Sequence, residues 1–122
     1  MTRVRAERGA ATAELTMVLP LLVAVTIGLV WLLAVGAAQV RTVDAAREIA
    51  RALARGDDQA AAVDRGLEVA VEGSEVSISR GGGQVSVTVT GQVQGPGGLF
   101  SHLPAPTLRA RAVALDEEVA AP

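Results

Sequence analysis

Two features near the start of the chain are placed to carry chemistry: the Gly9-Ala10 junction and the carboxylate of Glu14. Arg3, Arg5 and Arg8 precede the junction, and small residues follow it. After Glu14 no charge appears until Arg41. A glycine lets the backbone lie close against a protease, because it has no side chain to hold the two apart. Glu14 poses a different problem. On insertion scales a charged residue costs up to about 2.5–3.5 kcal/mol at the centre of a membrane helix, and less near its end. An acid at the head of a long apolar run therefore calls for a partner.

The rest of the chain offers little reactive chemistry. There is no cysteine and no tyrosine, and the single histidine, His102, sits in a Pro/Gly loop with no acid nearby in sequence. It reads as a surface histidine. Asp116, Glu117 and Glu118 are adjacent, not spaced as calcium ligands are in a metal loop, and read as a solvated tail. Gly81-Gly82-Gly83 lacks the Lys-Ser/Thr that follows the glycines of a phosphate loop, so it reads as a turn. We expect no catalytic residue, no metal, no cofactor and no small-molecule substrate. The net charge of −2 gives no sign of nucleic-acid binding.

The elements that position Gly9, Ala10 and Glu14 follow from the hydropathy pattern. Residues 15–40 are uncharged and would extend roughly 39 Å as a helix, against the ~30 Å of a bilayer core. This is much longer than a secretory signal's apolar region. Pro20 is tolerated near the start of such a helix. Ala24 and Gly28, and Leu32 and Gly36, are spaced to let helices approach. Past residue 40 the apolar positions Val43, Ala46, Ile49, Ala50 and Leu53 keep a three- and four-residue spacing. Arg41, Asp44, Arg47, Glu48 and Arg51 fall off that stripe, which predicts a solvated face with local i,i+3 pairs. Gly56 offers a stop. One helix is thus expected from about Thr12 to Arg55.

Asp57 or Asp58 can cap a second helix carrying Ala60, Ala61, Val63, Leu67 and Val71. After Gly73 the period drops to two. Val76 and Ile78 alternate with serines, then Val85, Val87 and Val89 with Ser86, Thr88 and Thr90, on either side of the triple glycine. This predicts a β-hairpin. A Gly/Pro loop with Leu99, Phe100 and Leu103 leads to a third strand over 107–115, where Arg109 and Arg111 share a face and discourage edge association. The expected fold class is α+β: a long N-terminal transmembrane α-helix, a short second helix and a small antiparallel β-sheet of about three strands. With aromatics at 2% and no disulfide, so small a tail must lean on the long helix or on a partner.

Arg8-Gly9-Ala10-Ala11-Thr12-Ala13-Glu14 followed by an apolar helix resembles a type IV prepilin. Thr12-Ala13-Glu14-Leu15-Thr16-Met17-Val18-Leu19-Pro20-Leu21-Leu22 is similar to the start of TadE-like minor pilins. Ala38-Gln39-Val40-Arg41-Thr42-Val43-Asp44-Ala45-Ala46-Arg47 and Ala52-Leu53-Ala54-Arg55-Gly56-Asp57 resemble the middle of that family in its actinobacterial form. The Ala/Arg strand from Leu108 to Leu115 is similar as well. Many relatives place Phe or Tyr directly after the glutamate, where this chain has Leu15; that departure argues against a major Flp-type pilin.

The resemblance implies a leader at 1–9 cut between Gly9 and Ala10 by a prepilin peptidase. It implies a mature helix at 10–56 with its transmembrane segment at 15–40, and an extracytoplasmic α/β tail at 57–122. Glu14 becomes the fifth mature residue and an assembly contact for a neighbour's new N-terminus. The expected partners are the membrane, the peptidase, other pilins and the Tad assembly machinery, in Tad/Flp pilus assembly or Tad secretion. Three arginines before the span and four after it leave charge nearly balanced. The peptidase's cytoplasmic site implies a cytoplasmic N-terminus. The alternative is a permanently membrane-anchored extracytoplasmic accessory or binding protein that does not polymerise. A third reading is a module released after a signal peptide. A mature N-terminus at Ala10, an intact one, or one near Ala38 separates the three.

Overall fold

The period change near Gly73 divides the observed elements as it divides the sequence. In the computed structural model, which describes residues 2–97 and 102–117, helix α1 runs Thr2–Ala54 and helix α2 Gln59–Val69. Strands β1 (Glu75–Gly81), β2 (Gln84–Gln92) and β3 (Thr107–Leu115) form one antiparallel sheet in the order β1-β2-β3. The fold class is α+β, as expected. Leu99 and Phe100 of the expected loop, and Glu118 of the acidic tail, lie outside the described residues.

The chain divides into two units, Met1–Leu33 and Ala34–Pro122. In the first, α1 begins at Thr2, earlier than Thr12. Nothing between Arg3 and Thr12 stops it: Ala, Arg and Glu are strong helix formers, and one Gly costs about 1 kcal/mol. The unit is a single helix with its apolar side chains uncovered. Met17 is 80% exposed and Leu33 76%. Pro20 lies inside the helix. The hydroxyls of Thr12, Thr16 and Thr26 donate to Arg8 O, Thr12 O and Leu22 O at 2.8, 2.7 and 2.8 Å. Each therefore brings no unsatisfied polar group to the apolar surface.

In the second unit, the last part of α1 lies on one face of the sheet. Ala45, Ala46, Ile49, Ala50 and Leu53 are buried with Val85, Val87, Val89 and Ala110. The opposite sheet face carries Ser77, Thr88 and Arg111 in one row and Glu75, Thr90 and Arg109 in the next. Arg109 and Arg111 are exposed there, as their alternation requires. The helix ends in a Schellman motif: Gly56 (φ 87) donates to Leu53 O at 3.1 Å and Asp57 N to Ala52 O at 3.0 Å. The hairpin turn places Gly82 (φ 60) and Gly83 (φ 74) at its centre. Both φ values are positive, as a type I′ turn demands.

Of the apolar residues expected along α2, Val63 packs partly buried against the core, and the others need correcting. Asp58 is the cap, its Oδ2 accepting from Ala61 N at 3.1 Å, but the helix stops before Val71. It buries Ala62 and Gly66, with Ala70 just beyond, and leaves Ala60, Ala61 and Leu67 exposed. Ala62, Gly66 and Ala70 form a stripe of three small residues, spaced four apart, that brings α2 close to α1. A Cβ on Gly66 would run into Ile49 Cγ1 and Cδ1.

Candidate processing and assembly site

Gly9, Ala10 and Glu14 all lie on α1 in the first unit, and all are exposed. Ala10 and Glu14 are four residues apart, so they share a helix face, separated by about 6 Å along the axis. Gly9 has open space where a Cβ would stand. No packing among the described residues requires glycine there. Glu14 forms no ion pair among the described residues: the pairs present join Asp57 to Arg55 and Arg65, and Asp116 to Arg80. The site is thus an exposed glycine junction and an unpaired acid one turn later. The helix that carries it is long enough to cross a membrane and holds an uncovered 18-residue stretch of mean hydropathy 2.7.

Within the second unit, three hydrogen bonds with no local sequence signal join the last part of α1 to α2 and β3. Arg41 Nε donates to Val69 O at 2.9 Å and Nη2 to Ala70 O at 3.1 Å, closing the C-terminal end of α2. Gln39 Nε2 donates to Arg109 O on β3 at 3.3 Å. Thr42, fully buried, donates back to Ala38 O at 2.9 Å. Arg41 is therefore not simply part of a solvated face.

The remaining charges on that face also differ from expectation. Asp44, Arg47, Glu48 and Arg51 form no ion pair with one another among the described residues; long side chains on a wet helix surface gain little from pairing. The pairing occurs instead at the α1–α2 turn. Asp57 Oδ2 accepts from Arg65 Nη2 at 3.1 Å and from Arg55 Nη2 at 3.3 Å. The Arg65 hydrogen bond, with that of Arg55, holds the Asp57 carboxyl below its usual range against a smaller opposing effect of desolvation. Asp116 is also corrected. It is buried, accepts from Arg80 Nη1 at 3.2 Å, and its N–H donates to Gly83 O at 2.8 Å. Glu117 is exposed. His102 is exposed, and the described residues hold no cluster of three or more His, Cys, Asp or Glu side chains placed to bind a metal.

One helix that is apolar and uncovered in its first half, and packed under a small sheet in its second, fits a single-pass membrane protein with one extramembrane domain. Residues 9–51 match the family model described as TadE-like protein, in line with the resemblance read from the sequence. The match opens at Gly9 and takes in Ala10, Glu14, the uncovered helix and Arg41. No curated protein and no solved structure matches the chain.

Proposed function

We propose that this chain is a pilin-like structural membrane protein of the TadE minor-pilin type. On this reading a prepilin peptidase cuts it between Gly9 and Ala10, and the mature protein takes part in Tad/Flp pilus assembly or Tad secretion. The peptidase, other pilins and the Tad machinery are its partners. It performs no catalysis of its own, and its N-terminus is cytoplasmic with the sheet domain outside. The observation that carries the reading is the exposed Gly9-Ala10 junction and unpaired Glu14 at the head of an uncovered apolar helix, inside the segment that matches the TadE-like family.

The local physics supports processing there. A peptidase needs the carbonyl of Gly9 free of the helix, so the first turns must open. Glycine costs the helix about 1 kcal/mol relative to alanine. α1 has no acid in its first turn, and Arg3, Arg5 and Arg8 face the positive end of the helix dipole, which disfavours them. After the cut, Ala10 carries an α-ammonium at a new helix start. Glu14 of a staggered neighbour can meet that charge, and where lipid or packed helices exclude water the attraction is much stronger than in solvent.

The test is the intact mass of the membrane-bound protein with and without Gly9→Val. The wild type is expected to lose residues 1–9 and the variant to insert at full length. Equal, shortened masses in both would sink the proposal. A wild type that keeps residues 1–9 would point to the permanently anchored accessory protein instead.

A further inference from the structure

The last part of α1 and α2 both lie on the side of the sheet where Val85, Val87 and Val89 are buried. The other side has no cover among the described residues, and Ser77, Arg109, Arg111 and Val113 are exposed on it. Its rows are Ser79, Ser86 and Val113, then Ser77, Thr88 and Arg111, then Glu75, Thr90 and Arg109. One face of an antiparallel sheet is commonly solvated, so openness alone assigns nothing. The two arginines set this face apart. Neither forms an ion pair among the described residues. Arg111 Nε donates to Ser86 Oγ at 2.7 Å, which draws that guanidinium over β2. Arg109 and Arg111 stand two residues apart on β3, or about 7 Å. Glu75 is on the far strand of the three.

The complement to this face lies on α2. Ala62 and Gly66 turn inward toward α1, so Ala60, Asp64 and Glu68 share the outer side, and all three are exposed. Asp64 and Glu68 form no ion pair among the described residues. They stand one turn apart, about 6 Å along the axis. Two carboxylates on α2 thus repeat the spacing of two guanidinium groups on β3. Ala60, a turn before Asp64, is small and apolar. Val113, the next residue on the open face after Arg111, is apolar and 53% exposed. A helix laid antiparallel to β3 sets Glu68 beside Arg109, Asp64 beside Arg111 and Ala60 beside Val113.

The domain already holds α2 in that direction, on the opposite side of its own sheet. Ala60, near the start of α2, lines a groove with Ile78, whose row runs through Val87 to Ala112. Val71, just past the end of α2, stands where a Cβ on Gly91 would be, and Gly91 pairs with Leu108. α2 therefore runs from the level of Ala112 to the level of Leu108, antiparallel to β3. A second copy in the same orientation, shifted through the thickness of the domain, brings its α2 to the open face in this direction and at this level.

We infer that the open sheet face docks α2 of a second copy of this chain, with Arg109 and Arg111 of one copy meeting Glu68 and Asp64 of the next. Opposite charges placed this way fix register more than they add affinity. The contact joins two different patches and needs no rotation between copies. It therefore does not close on itself, and the domains stack head to tail in an open row. It uses residues of the second unit only and does not depend on a cut at Gly9.

The chain has no cysteine, so a disulfide between copies reads the contact directly. Two full-length proteins with different affinity tags, one carrying Ala60→Cys and the other Val113→Cys, would be placed together in phosphatidylcholine vesicles and mildly oxidised. Mixed disulfide dimers are expected several-fold above those from Ala60→Cys with Thr107→Cys, because Thr107 lies at the other end of β3. Arg109→Glu with Arg111→Glu on the Val113→Cys copy should lower the yield several-fold. Asp64→Arg with Glu68→Arg on the Ala60→Cys copy should then restore it, a repair that a merely misfolded variant would not allow. Equal yields from the two cysteine pairs, with all native charges in place, overturn the contact. So does a yield indifferent to the reversed arginines. A loss that the charge-swapped partner fails to repair, with both variants folded by circular dichroism, overturns the pairing of Arg109 and Arg111 with Glu68 and Asp64.

Discussion

Ile49 of α1 occupies the space that a side chain on Gly66 of α2 would need. Ile49 is fully buried, and as a β-branched residue in a helix it is held near one rotamer, so it has nowhere to turn. In an exposed helix Gly→Ala stabilises by about 1 kcal/mol. Here overpacking, typically about 1–3 kcal/mol, opposes that gain. Gly66→Ala is expected to destabilise the domain by about 1 kcal/mol net. Thermal unfolding of the full chain, followed by circular dichroism, checks the sign; a raised midpoint would mean that the helices separate freely.

Arg41 satisfies two carbonyls at the end of α2 from a position in α1. Arg41→Met keeps much of the side-chain stem and removes both donors. Hydrogen bonds to charged groups are worth about 1.5–3 kcal/mol each, and these are partly exposed, so we expect a loss near the lower bound of one such bond. Arg41→Lys should rescue only part, because one ammonium cannot reproduce two donors in a fixed plane. Hydrogen exchange should show the loss at the last turn of α2 first. Unchanged protection in Arg41→Met would mean that water replaces the guanidinium without cost.

The Asp57 carboxyl is held below its ordinary range, first by Arg65 and then by Arg55. A depressed folded-state pKa means that the unfolded state binds the proton more readily. The contribution is therefore present above the unfolded value, about 3.9, and is lost as pH falls through the folded one. Asp57→Asn should lower the melting temperature at pH 7, and the gap from wild type should close on acidification below about pH 4. A gap that stays constant with pH would assign the effect to packing at the turn rather than to charge.

Glu14→Ala removes the acid without disturbing the helix, since the side chain makes no ion pair among the described residues. The variant is expected to insert and to be cut at Gly9 like wild type, but to crosslink poorly to neighbouring pilins. Normal crosslinking and normal pili would remove Glu14 from the assembly mechanism.

The large elements were legible because their periods differ. Val43, Ala46, Ile49, Ala50 and Leu53 marked the packed stripe of α1. Val85, Val87 and Val89 marked the buried face of β2, and Gly82 and Gly83 marked the turn between strands. The face of α2 was not legible. With Ala60, Ala61 and Ala62 in a row, hydropathy does not distinguish one side from another, and the buried stripe is chosen by size: Ala62, Gly66 and Ala70 let α1 approach. Arg41 was opaque for another reason. Its acceptors lie 28 and 29 residues away, and no local pattern records a partner at that distance. Gly9, Ala10 and Glu14 are the reverse case. Their types and spacing are plain in the sequence, and the groups that would act on them are not part of this chain.

The alanine-rich packing between α1 and the sheet has a consequence for conformational entropy. Ala45, Ala46, Ala50 and Ala110 have no rotamers to lose on burial, whereas a leucine or isoleucine gives up about 0.5–1 kcal/mol and a methionine up to ~2. These alanines gain less from hydrophobic burial than Ile49, Leu53 and the valines of β2, but they freeze no side chains in forming the core. Its order comes from backbones brought close by small residues, so the shape of the core is set mainly by main-chain geometry. In such a core, enlarging an alanine disturbs more than the area of the added methyl group suggests, because the backbones themselves must move apart.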